Sequence, residues 1–390
     1  MSELLLCRTF PPMLGGIERY ISELFNRAGL DIHAIAPRAE GYEPFDGRLR
    51  YRVTRYSYGS RWKHGKVPLI SLGIRALAVA LRERPRVVFS DQVQTAGVGV
   101  PLARLFGAAY VVFAYSFELS PKRLFRVKRW AFHSADAIIA ISNFTRSALI
   151  DLYGVSPARV QLIRPGVDTE VFSPNGQVPK RSTLGLLPED LVLLTVGRLE
   201  RKHRYKGFDR VIRLLAALLP DIPRVRLLVV GEGDDRRYLE GLAQKLGVAS
   251  RVRFTGPVSN DFLPLLYRNA DLFVLPSGTP NEGPFQAEGY GIVFAEAAAS
   301  GTPSVGYRVG GAVDAVKDGV SGILTDPDEF ALAGAVRTLL LDPQRLKQLG
   351  STARDHAVRE FGWDRSASAL VQLCKRLIRG CGNRVPPAFT

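Results

Sequence analysis

Short apolar runs alternate with longer amphipathic stretches along most of this chain. Residues 4–7, 32–36, 87–90, 110–114 and 137–141 are apolar enough to be strands buried on both faces. Stretches such as 17–27 and 70–82, between them, have helical spacing. This alternation predicts a parallel sheet covered by helices on both sides. It pauses at residues 160–174. Residues 160–163 read as one more strand, but Arg164-Pro-Gly-Val-Asp168 and Phe172-Ser-Pro174 carry breakers suited to a linker. The pattern then restarts at 191–196, 226–230, 252–254, 272–275, 303–307 and 322–325. The prediction is an α/β protein with two doubly wound, Rossmann-like domains, residues 1–170 and 171–364, and a hinge near 165–175. Residues 366–379 predict a last helix, and 380–390 a frayed end. Open parallel sheets bind ligands outside the C-terminal ends of their strands. Two such sheets facing each other predict an interdomain cleft lined by the loops after strands.

Charge sharpens this picture. Hydrophobic residues make up 46% and charged ones 23%, as in a protein with real cores. The net charge is +16, and it is uneven: residues 1–165 hold 24 Lys and Arg against 12 Asp and Glu, the rest 29 against 25. A positive first half favours an anionic partner, whether nucleic acid, an acidic membrane surface or a phosphorylated substrate. Cys7, Cys374 and Cys381 form no C-x-x-C pair, so neither a zinc site nor a disulfide framework is predicted, and a reducing cytoplasm is the simplest setting. Leu4-Leu-Leu-Cys7 lacks the basic segment and the length of a lipoprotein signal. No stretch reaches the ~18 apolar residues of a membrane span. Membrane contact is therefore expected to be peripheral, at the inner face.

The most telling stretch is Glu288-Gly-Tyr-Gly-Ile-Val-Phe-Ala-Glu296. Gly289 and Gly291 suit a loop that opens a helix over the alanine-rich residues that follow. A helix start has unpaired N–H groups and a partial positive charge, and accepts phosphate or a sugar hydroxyl. Taken alone, such a pair of glutamates is more often a solvated loop residue and an exposed helix residue. Other loops add to it. Pro11-Pro12 and Gly15-Gly16 follow the first strand, and paired glycines let backbone approach a diphosphate, although a tight structural turn explains them equally well. Arg198, Lys202, His203, Arg204 and Lys206 crowd the loop after 191–196, where arginine gives forked and lysine point contacts to phosphate. Asp234 and Asp235 raise a metal reading, but acidic residues at a helix start more often cap it.

With those loops in hand, the chain resembles the retaining glycosyltransferases of family 4, which have the GT-B fold. The markers are Pro11-Pro12 with Gly15-Gly16, Ala135-Asp-Ala-Ile-Ile-Ala-Ile-Ser142, Arg164-Pro-Gly-Val-Asp168, Val196-Gly-Arg198 with Lys206-Gly207, Leu228-Val-Val-Gly-Glu-Gly233, Leu275-Pro-Ser277, the Glu288–Glu296 run, Gly310-Gly311 and Asp318-Gly-Val-Ser-Gly322. The likeness is greatest to the branch that mannosylates phosphatidylinositol lipids. It implies a nucleotide-sugar donor, GDP-mannose or a UDP-sugar, bound mainly by the second domain. Arg198 and Lys206 match the diphosphate pair. Two extra residues lie between them, so Lys202 or Arg204 is open to sharing the role. Glu296 matches the carboxylate on the ribose, and Glu288 the one on the sugar hydroxyls. Backbone of Gly289, Gly291, Ile292 and Val293 lines sugar and phosphate, Val258 lies where backbone meets the base, and Gly15 and Gly16 approach the diphosphate. Tyr115 stands where the family usually has a histidine near the reacting carbon; a phenol can hydrogen-bond but does not become cationic near neutral pH.

The resemblance also implies same-face attack, with the departing phosphate taking the acceptor proton, so that no protein nucleophile, metal or cofactor is assigned. Its GT-B pattern returns the last helix, 365–390, to the first domain. The acceptor, a lipid-linked or other glycan, is expected on that domain. There Arg61, Lys63, Lys122, Arg123, Arg126, Lys128 and Arg129 lie among Tyr, Trp and Phe residues, a composition suited to an anionic membrane more than to nucleic acid. Two other readings stay open: a non-catalytic donor-binding subunit, prompted by Tyr115, and a nucleotide-sugar 2-epimerase of the same fold.

Overall fold

The computed structural model describes residues 2–13, 15–57, 67–120, 124–176, 181–278 and 286–381. The chain divides into two compact units, Met1–Gly166 with Trp363–Thr390, and Val167–Gly362.

In chain order the first unit runs β1 (Glu3–Leu6), α1 (Gly16–Ala28), β2 (Ile32–Pro37), α2 (Tyr42–Asp46), β3 (Arg52–Tyr56), α3 (Val67–Glu83), β4 (Val87–Ser90), α4 (Ala96–Phe106), β5 (Ala109–Ala114), α5 (Phe125–Ser134), β6 (Ala137–Ala140), α6 (Asn143–Asp151) and β7 (Val160–Leu162). Among the described residues these strands form one parallel sheet in the order β3-β2-β1-β4-β5-β6-β7. Nearly every residue of β1, β2, β4, β5 and β6 is buried, as expected of strands covered on both faces. Right-handed crossovers collect α3, α4 and α5 on one face; α4 packs between the other two.

The second unit runs β8 (Leu191–Val196), α7 (Phe208–Leu218), β9 (Val225–Val230), α8 (Arg236–Lys245), β10 (Val252–Gly256), α9 (Leu263–Asn269), β11 (Leu272–Leu275), α10 (Ile292–Ala299), β12 (Ser304–Tyr307), α11 (Ala312–Ala315), β13 (Gly322–Thr325), α12 (Glu329–Leu340) and α13 (Pro343–Glu360). Its parallel sheet has the order β10-β9-β8-β11-β12-β13. Leu193, Leu227, Leu272 and Val305 from the sheet pack with Val211 and Leu215 of α7 and with Leu332 and Val336 of α12. The closing helix α14 (Trp363–Cys381) packs on α1 of the first unit, where Trp363 stacks on Tyr20 at 6.2 Å. Residues 382–390, most of the predicted frayed end, lie outside the described residues.

β3 is absent from the strands the apolar pattern predicts, because two arginines interrupt it. Arg52 is bound by Glu83 at 2.7 Å and Asp31 at 3.3 Å. Arg55 is engaged by Asp46 and by the carbonyls of Pro11 and Pro37, each at 2.7 Å. Neutralised at the sheet edge, these arginines behave as strand residues.

Candidate active site

The second sheet reverses direction between β8 and β11: from β8 the chain moves outward to β9 and β10, and from β11 the other way to β12 and β13. Loops leaving the strand ends at such a switch point diverge and leave room for a ligand. The loop after β8 carries Arg198 and Lys206. The loop after β11 runs on toward Glu288.

Residues 201–206 are wound in 3-10 turns, which take up the extra length between the two cations. Most of the charge here is anchored locally. Arg201 N–H donates to Asp234 Oδ1 at 2.9 Å. Arg204 forks onto Asp235, with Nε at 2.7 Å, and lies 4.2 Å over the Tyr238 ring. Lys202 is 3.1 Å from Glu200. The two aspartates thus hold the basic loop. Asp235 occupies the N-cap position of α8, but its carboxylate does not cap the helix, contrary to the capping expectation. His203 lies 3.0 Å from Glu200, and burial, aided by Arg198, Lys206 and Lys202, pushes its pKa down to about 4. It is neutral at pH 7 and leaves the predicted basic set.

Lys206 turns the other way. Its stem packs beside Gly197 at the end of β8, and its ammonium forms an ion pair with Glu288. Both side chains are largely withdrawn from water, 14% and 13% exposed. Two further ties join the same loops. Gly278 N–H donates to the Tyr205 carbonyl at 2.7 Å. Arg210, buried in the first turn of α7, donates to the carbonyls of Pro276 and Gly278 and stands 5.7 Å over the Tyr307 ring. Among the described residues no carboxylate pairs with Arg210. A buried cation ordinarily needs such a partner; here carbonyls and a ring face serve, and they pin the loop after β11 to the start of α7. The sequence offers no signal for this, because one arginine in an amphipathic helix reads as surface.

Glycine geometry sets the Glu288 loop. Gly291 N-caps α10 with φ of 91°, in the left-handed region. Gly311 N–H donates to the Glu288 carbonyl at 2.7 Å, and a Cβ on Gly311 would stand 2.1 Å from the Gly289 oxygen. Only glycine lets these loops close. Gly289, Ile292 and Val293 are half-buried around the start of α10, whose first N–H groups have no intrahelical acceptor. Glu296 is buried rather than exposed, and the Tyr267 hydroxyl lies 3.1 Å from its Oε2 and 3.2 Å from the Val293 carbonyl oxygen. Arg198 is exposed just beyond β8 and makes no ion pair among the described residues. Val258 is half-buried in the loop after β10.

The first unit holds the remaining predicted residues. Gly15 N-caps α1, Gly16 begins it, and the Glu18 carboxylate folds back over Gly15. Tyr115 is buried at the end of β5, edge-on to Tyr20 at 6.5 Å, and burial holds its phenol well above the usual range, hence neutral. Its N–H donates to Glu118 Oε2 at 3.4 Å, and the other Glu118 oxygen accepts from Val93 N–H at 3.1 Å. Asp91 accepts from Arg8 N–H at 2.8 Å and from the Thr95 hydroxyl at 3.3 Å. Burial pushes Asp91 up to about 7 and Glu118 up to about 8. These carboxylates, missed in the sequence, brace the loops after β1, β4 and β5. Arg126 and Arg129 are exposed, whereas Lys128 is half-buried and donates to the Ser120 carbonyl at 2.7 Å. Arg61, Lys63, Lys122 and Arg123 lie outside the described residues.

Known proteins place this arrangement. Residues 14–171 match Glycosyltransferase Family 4, and residues 179–356 match Glycosyl transferases group 1. A GDP-mannose-dependent alpha-(1-6)-phosphatidylinositol monomannoside mannosyltransferase from Mycobacterium tuberculosis is 31% identical over 388 residues, covering 95% of this chain and 97% of that one. Sucrose-phosphate synthase from Thermosynechococcus elongatus superposes with a TM-score of 0.82 at 24% identity, over 97% of this chain and 100% of that one. HepE from Anabaena, solved in complex with UDP, gives 0.80 at 22% identity, over 96% and 100%. With a glycosyltransferase model matched in each half, family 4 in the first and group 1 in the second, and a relative aligned along nearly the whole length, the chain belongs to the family 4 (group 1) glycosyltransferases and has the GT-B fold.

Proposed function

We propose that this glycosyltransferase moves a hexose from a nucleotide diphosphate sugar, GDP-mannose or a UDP-sugar, to a lipid-linked or glycan acceptor, with retention at the transferred carbon and without a metal. The observation that carries the reading is the contact of Lys206 with Glu288 at the switch point of the second sheet. It joins a cation suited to phosphate and a carboxylate suited to sugar hydroxyls. The mannosyltransferase relative supports GDP-mannose, and the UDP complex of HepE keeps UDP-sugars in view.

Cleaving the bond between sugar and diphosphate builds negative charge on the leaving phosphate. Lys206, Arg198 and the N–H groups at the start of α10 take up that charge in fixed positions, the arrangement that stabilises a transition state most. Glu288 accepts from the sugar hydroxyls and holds the ring, and Glu296 accepts from the ribose. The acceptor hydroxyl attacks from the face the phosphate leaves, and a phosphate oxygen takes its proton. The sugar–acceptor bond forms as the sugar–phosphate bond breaks, with no protein nucleophile. Protein cations meet the diphosphate charge, so turnover is expected to persist in EDTA.

The direct test is a panel of GDP-, UDP-, ADP- and TDP-sugars read by thermal shift and then by transfer of labelled sugar. A donor at a hundred times its Kd adds about 2.7 kcal/mol of stability. GDP-mannose or a UDP-sugar should raise Tm and pass its sugar on with the anomeric configuration kept. A panel in which none of these donors binds, or transfer with inversion, overturns the proposal.

A further inference from the structure

Helix α10 holds a carboxylate that its own packing does not require. It is buried along Phe294–Ala299, and Glu296 is its one charged side chain, set among four buried alanines. Burying a carboxylate is costly unless donors meet its oxygens. One such donor is the Tyr267 hydroxyl, 3.1 Å from Glu296 Oε2. That hydroxyl also lies 3.2 Å from the Val293 carbonyl oxygen, but a phenol has one proton to give, and a carboxylate takes it in preference to a carbonyl. Tyr267 is itself firmly held. It is fully buried in α9, its ring meets Phe172 at 5.9 Å and Phe273 at 5.7 Å, and its carbonyl accepts from the Thr302 hydroxyl at 2.8 Å. Phe273 in turn stands edge-on to Phe294 of α10 at 5.4 Å. These contacts fix where the hydroxyl lies relative to α10, and a phenylalanine would fill the same niche without it.

We propose that Tyr267 is a positioning residue for the donor's ribose: its hydroxyl holds Glu296 in the orientation that accepts from the two ribose hydroxyls, and so sets the preference for a nucleotide that carries this diol. The inference rests on the reading of Glu296 as the ribose carboxylate. A glutamate side chain is flexible, and a ligand that has to freeze it loses affinity. A hydrogen bond from a fixed phenol freezes it beforehand and sets the plane of the carboxylate. Each carboxylate oxygen accepts more than one hydrogen bond, so Oε2 can keep the phenol while the group meets a vicinal diol. The diphosphate separates the ribose from the reacting carbon, so losing this hold weakens donor and transition state alike. A hydroxyl that only satisfies a buried carboxylate would instead leave the ribose selectivity where it was.

GDP and UDP, each beside its 2′,3′-dideoxy form, are titrated by calorimetry into wild type and Tyr267→Phe. Wild type should bind the ribonucleotide it accepts about tenfold or more tighter than the dideoxy form. In Tyr267→Phe the Kd of the ribonucleotide should rise about tenfold, while that of the dideoxy form moves by less than about twofold. With the matching sugar donor, KM should rise and kcat stay within about twofold. A wild type that binds neither GDP nor UDP, or binds the ribo and dideoxy forms alike, sinks the ribose reading of Glu296 and the inference with it. A discriminating wild type beside a Tyr267→Phe that keeps the same ratio, whether by binding as before or by weakening both forms equally, leaves that reading standing and overturns the inference alone. Should Tyr267→Phe fail to fold, Phe172→Leu is measured in its place; it loosens the ring but keeps hydroxyl and carboxylate, and it should lower the ratio. An unchanged ratio there overturns the inference as well.

Discussion

Replacing Lys206 separates what the Lys206–Glu288 pair does for the fold from what it does for the reaction. In Lys206→Met the Glu288 carboxylate stays in a largely dehydrated spot without its cation. Breaking a fully buried pair costs about 3–5 kcal/mol. Glu288 sits in a half-buried loop that can let water in, so the expected loss is about 1–3 kcal/mol. Loss of a cation aimed at the leaving phosphate costs about 3–4 kcal/mol of barrier, a fall in kcat of about 10²–10³. Glu288→Gln removes the charge but keeps the shape, and turnover should fall comparably because the sugar hydroxyls lose a charged hydrogen-bond acceptor and meet an NH2 donor in place of one carboxylate oxygen. The double variant Lys206→Met, Glu288→Gln strands neither charge. Its stability should recover by about 1 kcal/mol or more over the sum of the single changes, while its turnover stays as low as in either. The assays are urea unfolding and release of nucleoside diphosphate under saturating donor. If turnover recovers along with stability, or if either single variant turns over like wild type, the pair is structural and the site assignment fails.

Two more outcomes follow from the same geometry. Arg210→Met strands two carbonyls of the loop after β11 while removing a buried charge; about 2–3 kcal/mol of stability should go, and kcat should fall more than KM for donor rises. Arg210→Lys, which keeps the charge and one donor, should restore part of the turnover, and a fully active Arg210→Met would show the clamp to be idle. His203 is held at about 4 when folded against a usual 6.5. A base whose folded pKa is depressed binds fewer protons folded than unfolded, so stability is full above about pH 6.5 and is lost as pH falls toward 4. With its 19% exposed side chain the contribution is about 1–2 kcal/mol, and His203→Gln should flatten Tm between those pH values; an unchanged slope would refute a buried neutral imidazole.

Much of the fold was legible because parallel strands covered on both faces must be apolar without interruption. Residues 191–196, 272–275 and 322–325 correspond residue for residue to β8, β11 and β13. β3 was not, because Arg52-Val-Thr-Arg-Tyr becomes a strand only once Glu83, Asp31 and Asp46 neutralise it, and no local pattern announces partners 9 to 31 residues away. His203 misled for a similar reason: its type says base, while its burial beside Arg198 and Lys206 makes it neutral.

By itself the sequence determined the kinds of residue available and their place relative to strand ends: the basic loop after 191–196, the glycines flanking Glu288, the positive first half. These depend on local spacing and composition. Tertiary structure alone decided which of those charges are spoken for. Asp235 claims Arg204, while Lys206, two residues further on, meets Glu288 across 82 positions, because the sheet order sets β8 beside β11. It also decided which side of α3 faces out. That helix carries apolar residues on more than one side, so its spacing predicts a helix without fixing which apolar residues face in, and only packing against the sheet leaves Ile70, Ile74, Leu77 and Leu81 in water.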